Sequence, residues 1–276
     1  MAAPRRAATA AILVIASLIA IAIVGPVVTA DPLRGDLDAG VSAIGAPLPP
    51  SGSAPLGTDA LGRDELARVV AGAGSSLAIA ALATAIAMAI GLAVGVAAGY
   101  AGGRVDGALM RSVDLVLAFP FLLLAILLAA LMRARGSGEV GGTAVVVVTL
   151  GVASWPAVAR VIRAKTAILA RGDMVTAARA LGASPWRIAV RHLAPNVATA
   201  AVALGALLFA QTLLAEAALS YVGLGPPPPA ASWGRMIYEA RAYYRTAPWL
   251  IAAPGVAIVV AVLAFAALAH ALEERA

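Results

Sequence analysis

Residues 176–195 read TAARALGASPWRIAVRHLAP and form the second half of a basic segment, residues 160–195, that separates two membrane-length apolar runs. The segment holds seven of the 20 Lys and Arg residues of the chain and a single acid, Asp173. A connector between two membrane spans needs only a few turn residues. Because this connector is long, basic and rich in helix-start signals, we predict that it forms structure of its own and contacts something outside the spans.

The first part of the connector is predicted to form a short helix. Asp173 suits its start, because a carboxylate there meets free amides and the positive end of the helix dipole. Gly182 suits its end, because glycine tolerates a left-handed cap. The apolar positions between them fall at i, i+3, i+4 and i+7 and predict one face with small residues at its centre: Met174, Ala177, Ala178 and Leu181.

The second part of the connector carries a second helix start. Ser184 can cap a helix, and Pro185 fits its first turn, where a missing amide costs little. Arg187 and Arg191 share one side, and two like charges four residues apart predict an anionic neighbour such as lipid headgroups. Pro195 is predicted to break the chain before the next span. The apolar stripe assigned to the membrane interface is Trp186, Ala189, Val190 and Leu193.

Composition identifies a membrane protein. The chain is 62% hydrophobic and 12% charged, with a mean hydropathy of +0.95, too apolar for a soluble domain. Its net charge of +6 comes from residues at the ends of apolar runs, a distribution that fits membrane topology and not a nucleic-acid surface. The absence of Cys excludes disulfides and thiolate metal sites.

Six apolar runs have the ~20 residues that a spanning helix needs. We predict an N-terminal span and a long outer loop over residues 1–72, and a core of five spans over residues 73–276. The first run follows Arg5 and Arg6 and ends near Val28-Thr29-Ala30, which resembles a signal-peptide cleavage site, but its length favours a retained span. The six runs are residues 7–30, 75–98, 113–132, 143–162, 197–221 and 249–272.

The basic residues also predict an orientation. With both termini in the cytoplasm, the inner segments hold 12 Lys and Arg residues and the outer segments hold eight of the 20. The outer loops, residues 31–72 and 222–248, are rich in Pro and Gly, which favour rigid, ordered turns. These loops are either plain surface connectors, or a platform for an external partner or a lid over the pathway. The residues assigned to such an external contact are Thr58, Asp59, Arg63, Asp64 and Trp233.

The spans contain few ionisable groups. Glu216 lies near the outer end of the fifth span and is expected to be hydrated there, with a functional intramembrane acid as the alternative. Gly91, Gly95 and Gly99 recur every four residues and predict close helix packing, within the chain in preference to a subunit contact. Pro120 is expected to kink the third span.

The chain shows no pattern for covalent chemistry. Lys165-Thr166 lacks the preceding glycines of a phosphate-binding loop, and no metal-binding His motif is present. We therefore predict that the chain is not an enzyme and holds no cofactor of its own.

The connector resembles that of permeases in binding-protein-dependent ABC importers. The family pattern is Glu-Ala-Ala, three residues, Gly, nine residues, Ile-x-Leu-Pro, and Ala177, Ala178, Gly182 and Pro195 match it in register. Thr176, His192 and Ala194 replace the Glu, Ile and Leu. Similar strings of the peptide-importer branch occur at 56–64 (LGTDALGRD), 118–121 (AFPF), 191–196 (RHLAPN), 215–220 (AEAALS) and 232–234 (SWG). The chain looks like the second permease subunit of a dipeptide, oligopeptide or nickel importer.

This resemblance implies an all-α fold with six spans, the type I importer permease fold, in the bacterial plasma membrane. It implies a homologous second permease, two ATPase subunits that bind ATP and Mg, and an external solute-binding protein. It also implies that the first connector helix, between spans four and five, is a coupling helix on an ATPase subunit, while Trp186, Arg187, Arg191 and Pro195 anchor the connector at the inner interface. The coupling residues are Asp173, Met174, Thr176, Ala177, Ala178, Arg179, Leu181 and Gly182.

Thr176 removes an ionic or capping contact that the family Glu provides. Two other functions remain open from the residues alone. An ion-coupled secondary transporter would need a midplane ion site, which the spans do not show. A membrane scaffold that recruits a cytoplasmic partner would explain the basic connector but not the long outer loops.

Overall fold

A computed structural model describes residues 2–134 and 139–274. Over these residues the chain is built from helices, loops and three isolated β-bridges. The helices are α1 (Ala2–Val28), α2 (Glu65–Ala101), α3 (Gly103–Leu117), α4 (Phe121–Ala134), α5 (Glu139–Leu169), α6 (Asp173–Ala180), α7 (Pro185–Ile188), α8 (Ala194–Tyr221), α9 (Trp233–Ala240) and α10 (Trp249–Glu273). A π-helical turn, Ala189–Leu193, joins α7 to α8, and a 3₁₀ turn, Arg241–Tyr243, follows α9.

Five described helices are long and apolar enough to cross a membrane, and the all-helical fold class is as predicted. They lie in α1, α2, α5, α8 and α10. The count rises to six if α3 and α4 form one broken span. Helix α5 continues past residue 162 to Leu169, so the connector begins as an extension of a membrane helix.

The third predicted span is not one kinked helix. α3 and α4 meet at an angle of 87°, with residues 118–120 between them. Pro120 has no amide to donate and disfavours helical backbone in Phe119, which ends the first helix. Two ion pairs, Asp106–Arg163 and Asp114–Arg160, then hold α3 against α5. The first five residues of the predicted span, residues 113–117, therefore belong to a separate helix that starts at Gly103.

Helix α2 packs closely along α5 through the predicted glycine face. A Cβ added at Gly95 would lie 2.7 Å from Ile162 Cβ and 2.8 Å from the Ala159 carbonyl oxygen. Gly91 and Gly99 face α5 in the same way. The prediction of packing within the chain is confirmed, because only glycine lets these two backbones approach so closely.

The remaining long helices surround this pair. Leu18 of α1, Phe209 and Leu213 of α8 and Ile258 of α10 share one buried cluster with Trp233 of α9. Gly25 of α1 lies so close to α2 that an added Cβ would meet Val70 Cγ1 at 2.2 Å. Helix α1 is therefore part of the packed bundle.

Gly95→Leu should lower the stability of the chain by about 1–3 kcal/mol, because the larger side chain would separate α2 from α5. The matched control is Gly107→Leu in α3, where a Cβ meets nothing within 4 Å. Both changes improve helix propensity equally, so their difference reports packing. The measurement is thermal unfolding of the purified chain in detergent, and equal midpoints for the two variants would contradict the packing account.

Candidate coupling surface and outer rim

Helix α6 lies at one end of the molecule, on a small apolar cluster. Val175 and Ala178 of α6 are buried with Ile188 of α7 and Leu193 of the π-helical turn. Tyr100, at the last turn of α2, packs against the same cluster. The cluster seats α6 against the ends of α2 and α5 and against the start of α8.

The caps of α6 and α7 follow the sequence signals. Gly182 has φ +79°, and the amides of Gly182 and Ala183 bond the carbonyls of Arg179 and Ala178 at 2.9 and 3.0 Å. This pair of bonds is a Schellman motif, which confirms Gly182 as the helix terminator. Ser184 caps α7 by accepting a hydrogen bond from the Arg187 amide at 3.3 Å. Asp173 occupies the first helical position, after Gly172 as N-cap.

The predicted apolar face of α6 is divided between two surroundings. Ala178 is buried inside the chain, so the expectation that it lies in a partner's groove is wrong for its side chain. Val175, which was not in the predicted stripe, is buried beside Ala178. The reason is that α6 packs on the rest of the chain through Val175 and Ala178, which are three residues apart, and not through Met174 and Ala177. Met174, Ala177 and Leu181 remain exposed, and Leu181 is 88% exposed.

The polar residues of α6 make local contacts. Arg179 places its guanidinium 5.4 Å from the centre of the Tyr100 ring, a distance typical of a cation–π contact. Thr176 is exposed, and its hydroxyl donates to the Gly172 carbonyl oxygen at 3.3 Å. Where the family has a glutamate, this chain therefore has a side chain that bonds its own helix start.

The second connector helix runs into the fifth span without a break. The π-helical turn leads directly into α8, and Pro195 lies in the first turn of α8, where it needs no amide partner. The expectation that Pro195 breaks the chain is therefore wrong. Trp186 is 77% exposed, and Arg187, Arg191 and Pro195 are also exposed. Their assignment as an inner-interface anchor stays a prediction.

At the end of α2 opposite α6, an ion-pair network joins Asp59, Arg63, Arg68, Arg235 and Glu239. The region around it is called the outer rim, after the predicted orientation. Asp59 accepts from Arg63 Nε at 2.6 Å and also pairs with Arg68. Glu239 of α9 accepts from Arg68 at 2.7 Å and from Arg235 Nε at 2.8 Å. Burial raises the pKa of Glu239, but the hydrogen bonds and the positive charges of Arg235 and Arg68 together outweigh burial and leave that pKa below its ordinary value. The network ties the first outer loop and α2 to α9.

Three residues assigned to an external contact are buried in this rim. Trp233 is 1% exposed and donates from Nε1 to the Val69 carbonyl oxygen at 2.9 Å. Thr58 donates to the Gly40 carbonyl oxygen at 2.6 Å, and Asp59 is held by two arginines. Asp64 caps α2 by accepting from the Ala67 amide. Burial corrects the expectation for Thr58, Asp59 and Trp233, whose side chains hold the rim together.

Glu216 is fully buried, which contradicts the expectation that it is hydrated. It accepts hydrogen bonds from Ser220 at 2.7 Å, from Ser232 at 2.9 Å and from Ser76 at 3.5 Å. Ser76 in turn accepts from the Trp233 amide at 3.0 Å. The motifs at 215–220 and 232–234 therefore form one structural unit. The occurrence of both motifs in the same chain was the available sequence signal for this contact.

Sequence reasoning also missed Arg68 and Glu239, because their contact joins residues 171 positions apart in the chain. Within the described ranges no group of three or more His, Asp or Glu residues could hold a metal ion. Over the described residues, the two ends of the molecule therefore have different structures. One end presents an exposed helix, and the other is a closed network of buried polar groups.

Comparison with known proteins identifies the family. Residues 91–276 match the binding-protein-dependent transport system inner membrane component family. The chain belongs to this family. It is therefore the membrane permease of an ABC importer, and not the ATPase itself. Membership also places it in the inner membrane, in agreement with its apolar helices.

Several relatives of this permease are similar over most of their length. A glutathione transport system permease protein, GsiD, of Shigella flexneri is 40% identical over 219 residues, 79% of this chain and 70% of the relative. GsiD of Pectobacterium atrosepticum is 36% identical over 225 residues, 82% of this chain and 72% of the relative. A Brucella suis protein with the provisional name of peptide transport system permease is 36% identical over 79% of this chain and 71% of its own.

Solved structures confirm the fold of the permease. A chain of the MetNI methionine ABC transporter in an inward-facing conformation superposes with a TM-score of 0.59 at 22% identity. The likeness covers 74% of this chain and 96% of that one. The type I importer permease fold predicted from the sequence is thus confirmed.

Gly182→Val should loosen the junction of α6 and α7, because a β-branched residue at φ +79° costs about 1–2 kcal/mol. Ala180→Val makes a β-branched change at an exposed position with ordinary helical backbone and serves as the control. The measurement is amide hydrogen exchange over residues 173–188. Equal protection of this segment in both variants would contradict the cap assignment.

Glu216→Ala should destabilise the permease by about 2 kcal/mol or more, because it leaves buried serine hydroxyls without an acceptor. Glu273→Ala, at an exposed position near the end of α10, is the control and should change little. Thermal unfolding in detergent measures the difference. A Glu216→Ala midpoint equal to that of the control would show that the hydrogen-bond cluster does not hold the rim.

Proposed function

We propose that this permease moves peptides inward, driven by ATP hydrolysis in two ATPase subunits that bind ATP and Mg. A second, homologous permease completes the pathway, and an external solute-binding protein delivers the cargo. The single observation that supports coupling is the exposed apolar row of α6. The peptide assignment is supported by relatives whose printed names refer to glutathione or peptide transport.

The outward side of α6 has the properties of a docking surface. Met174, Ala177 and Leu181 follow each other at i, i+3 and i+7, so they share one side of the helix. This row lies next to the row that buries Val175 and Ala178, and it stays exposed. An exposed leucine with small and flexible apolar neighbours is typical of a helix that lies in a partner's groove. We assign this side of α6 to the ATPase contact.

Charge supports a cytoplasmic location for α6. Arg171, Arg179, Arg187 and Arg191 are exposed around α6 and α7, and basic residues favour the cytoplasmic side of a membrane. The ion-paired rim at the other end of α2 then faces outward, towards the binding protein. Both termini are cytoplasmic in this orientation.

The connection between α6 and the spans suits energy transfer. α6 ends in a tight cap, and α7 continues through the π-helical turn into α8. Asn196, in the first turn of α8, donates to the His192 carbonyl oxygen at 2.6 Å and lies 3.6 Å from the Met174 sulfur. A movement of α6 therefore reaches α8 without a flexible loop between them.

Leu181→Glu tests the coupling surface. We expect at least about tenfold less ATPase subunit to copurify with this variant, because a charge replaces an exposed apolar side chain of the proposed docking surface. Ile44→Glu, at a 90% exposed position in the outer loop, is the control and should retain the ATPase normally. ATP-dependent uptake of a labelled peptide into proteoliposomes, with the binding protein supplied, should fall in parallel for Leu181→Glu alone.

Three outcomes would contradict the proposal. Normal ATPase retention by Leu181→Glu would refute docking through α6. Uptake by the permease alone under an ion gradient would favour a secondary transporter. Uptake of an unrelated solute, with no uptake of peptide, would refute the assigned cargo.

A further inference from the structure

A cavity of about 470 Å³ lies between α4, α5 and α8. It is next to the bend between α3 and α4, because Leu117 at the end of α3 and Phe121 at the start of α4 both line it. Most of its wall is apolar, and its polar side chains are Ser154, Gln211 and Thr212. A cavity of this volume, with an apolar wall and a few polar groups, is typical of a site for a small ligand.

Gln211 is the polar residue of this wall that remains exposed. Ser154 and Thr212 are buried, and the Ser154 hydroxyl donates to the Leu150 carbonyl oxygen at 2.7 Å. The side-chain amide of Gln211 makes no hydrogen bond within residues 2–134 and 139–274. A glutamine amide carries two N–H donors and a carbonyl oxygen acceptor. These groups are therefore available to a ligand in the cavity.

Gln211 also lies at the middle of a membrane span. It is the twelfth of the 22 residues of the apolar span Ala200–Tyr221. Hydrocarbon offers an amide no hydrogen-bond partner, so polar side chains at this depth face the inside of a bundle or a water-filled cavity. The exposed side of α8 around Gln211 therefore faces a polar pathway or another protein, and not lipid.

The chemistry of the wall selects the ligand. Among the described residues that line the cavity none is ionisable, so a neutral polar group fits it better than a charged one. A peptide bond pairs one N–H donor with one carbonyl acceptor, which complements the amide of Gln211. Apolar side chains of a peptide would contact Phe121, Leu208 and their apolar neighbours in the wall.

We propose that Gln211 binds a peptide bond of the cargo inside this cavity. Its amide donates one hydrogen bond to the cargo carbonyl oxygen and accepts one from the cargo N–H. This inference rests on the proposed function and deepens it, because it assigns a cargo-binding residue in the membrane part of the permease. The site recognises the peptide backbone, and the apolar wall receives the side chains.

The first test uses the assembled transporter in proteoliposomes with its binding protein, and labelled dialanine as the probe. Gln211→Met removes the amide with little change of size. We expect its initial uptake at subsaturating loaded binding protein to fall at least about fivefold, because two hydrogen bonds to the cargo are lost. Gln211→Asn keeps an amide and should retain more uptake than Gln211→Met. Leu263→Ala, at an exposed position of α10 outside the cavity, is the control and should transport normally.

A second probe tests whether the peptide bond itself is recognised. Alanyl-lactate has an ester in place of the single peptide bond of dialanine and therefore lacks its N–H. Loading of the binding protein by each probe is measured separately, and uptake is compared at equal concentrations of loaded protein. The unsubstituted transporter should take up dialanine at least about threefold faster than the ester. In Gln211→Met this ratio should approach one, a change that a purely structural role of Gln211 would not produce.

Three results would overturn the inference and leave peptide transport in place. Normal dialanine uptake by Gln211→Met would exclude Gln211 as a cargo contact. Loss of the second permease from the purified Gln211→Met complex would make this amide a subunit contact. The same amide-to-ester ratio in Gln211→Met as in the unsubstituted transporter would exclude recognition of the peptide bond. Failure of the unsubstituted transporter to take up any peptide would instead contradict the proposed function, and this inference with it.

Discussion

The close approach of α2 to α5 is the constraint on which the rest of the structure depends. Gly91, Gly95 and Gly99 present bare backbone to α5, and any larger side chain would collide with it. The two helices therefore behave as one unit. α2 has 37 residues and is about 55 Å long at the standard rise per residue. One end of this unit supports the outer rim, and the other supports α6.

The two ends of this unit are held together by different kinds of interaction. At the rim, buried charges and hydroxyls satisfy one another, so loops distant in the chain are locked to α2 and α8. At the connector, α6 buries only Val175 and Ala178 and leaves its other apolar residues exposed. In the proposed function the rim meets the binding protein and α6 meets the ATPase, and this asymmetry suits both contacts. Membership of an importer permease family is the reason for proposing these two contacts.

Local backbone signals allowed much of the connector to be predicted. Gly182 ends α6 and Ser184 caps α7, because these effects depend on a residue's own backbone and its next few neighbours. The apolar runs likewise predicted the long helices, because about 20 apolar residues suffice to define a span. The resemblance to the importer permeases predicted a helix in the connector, and α6 lies there. None of these signals shows which side of α6 is covered, and Ala178 was misassigned for that reason.

The sequence by itself determined the apolar spans, the caps of the connector and the family of this permease. Only the tertiary structure decided that Glu216 is buried among serines and that Trp233 is covered. It also decided that Glu65 lines a cavity and that α3 and α4 meet at an angle of 87°. The physical reason is the separation in sequence between the residues that interact. Caps and spans depend on neighbours in sequence, whereas the environment of a buried acid depends on which distant segments close over it. Ser76 and Glu216, 140 residues apart, meet only in the folded chain.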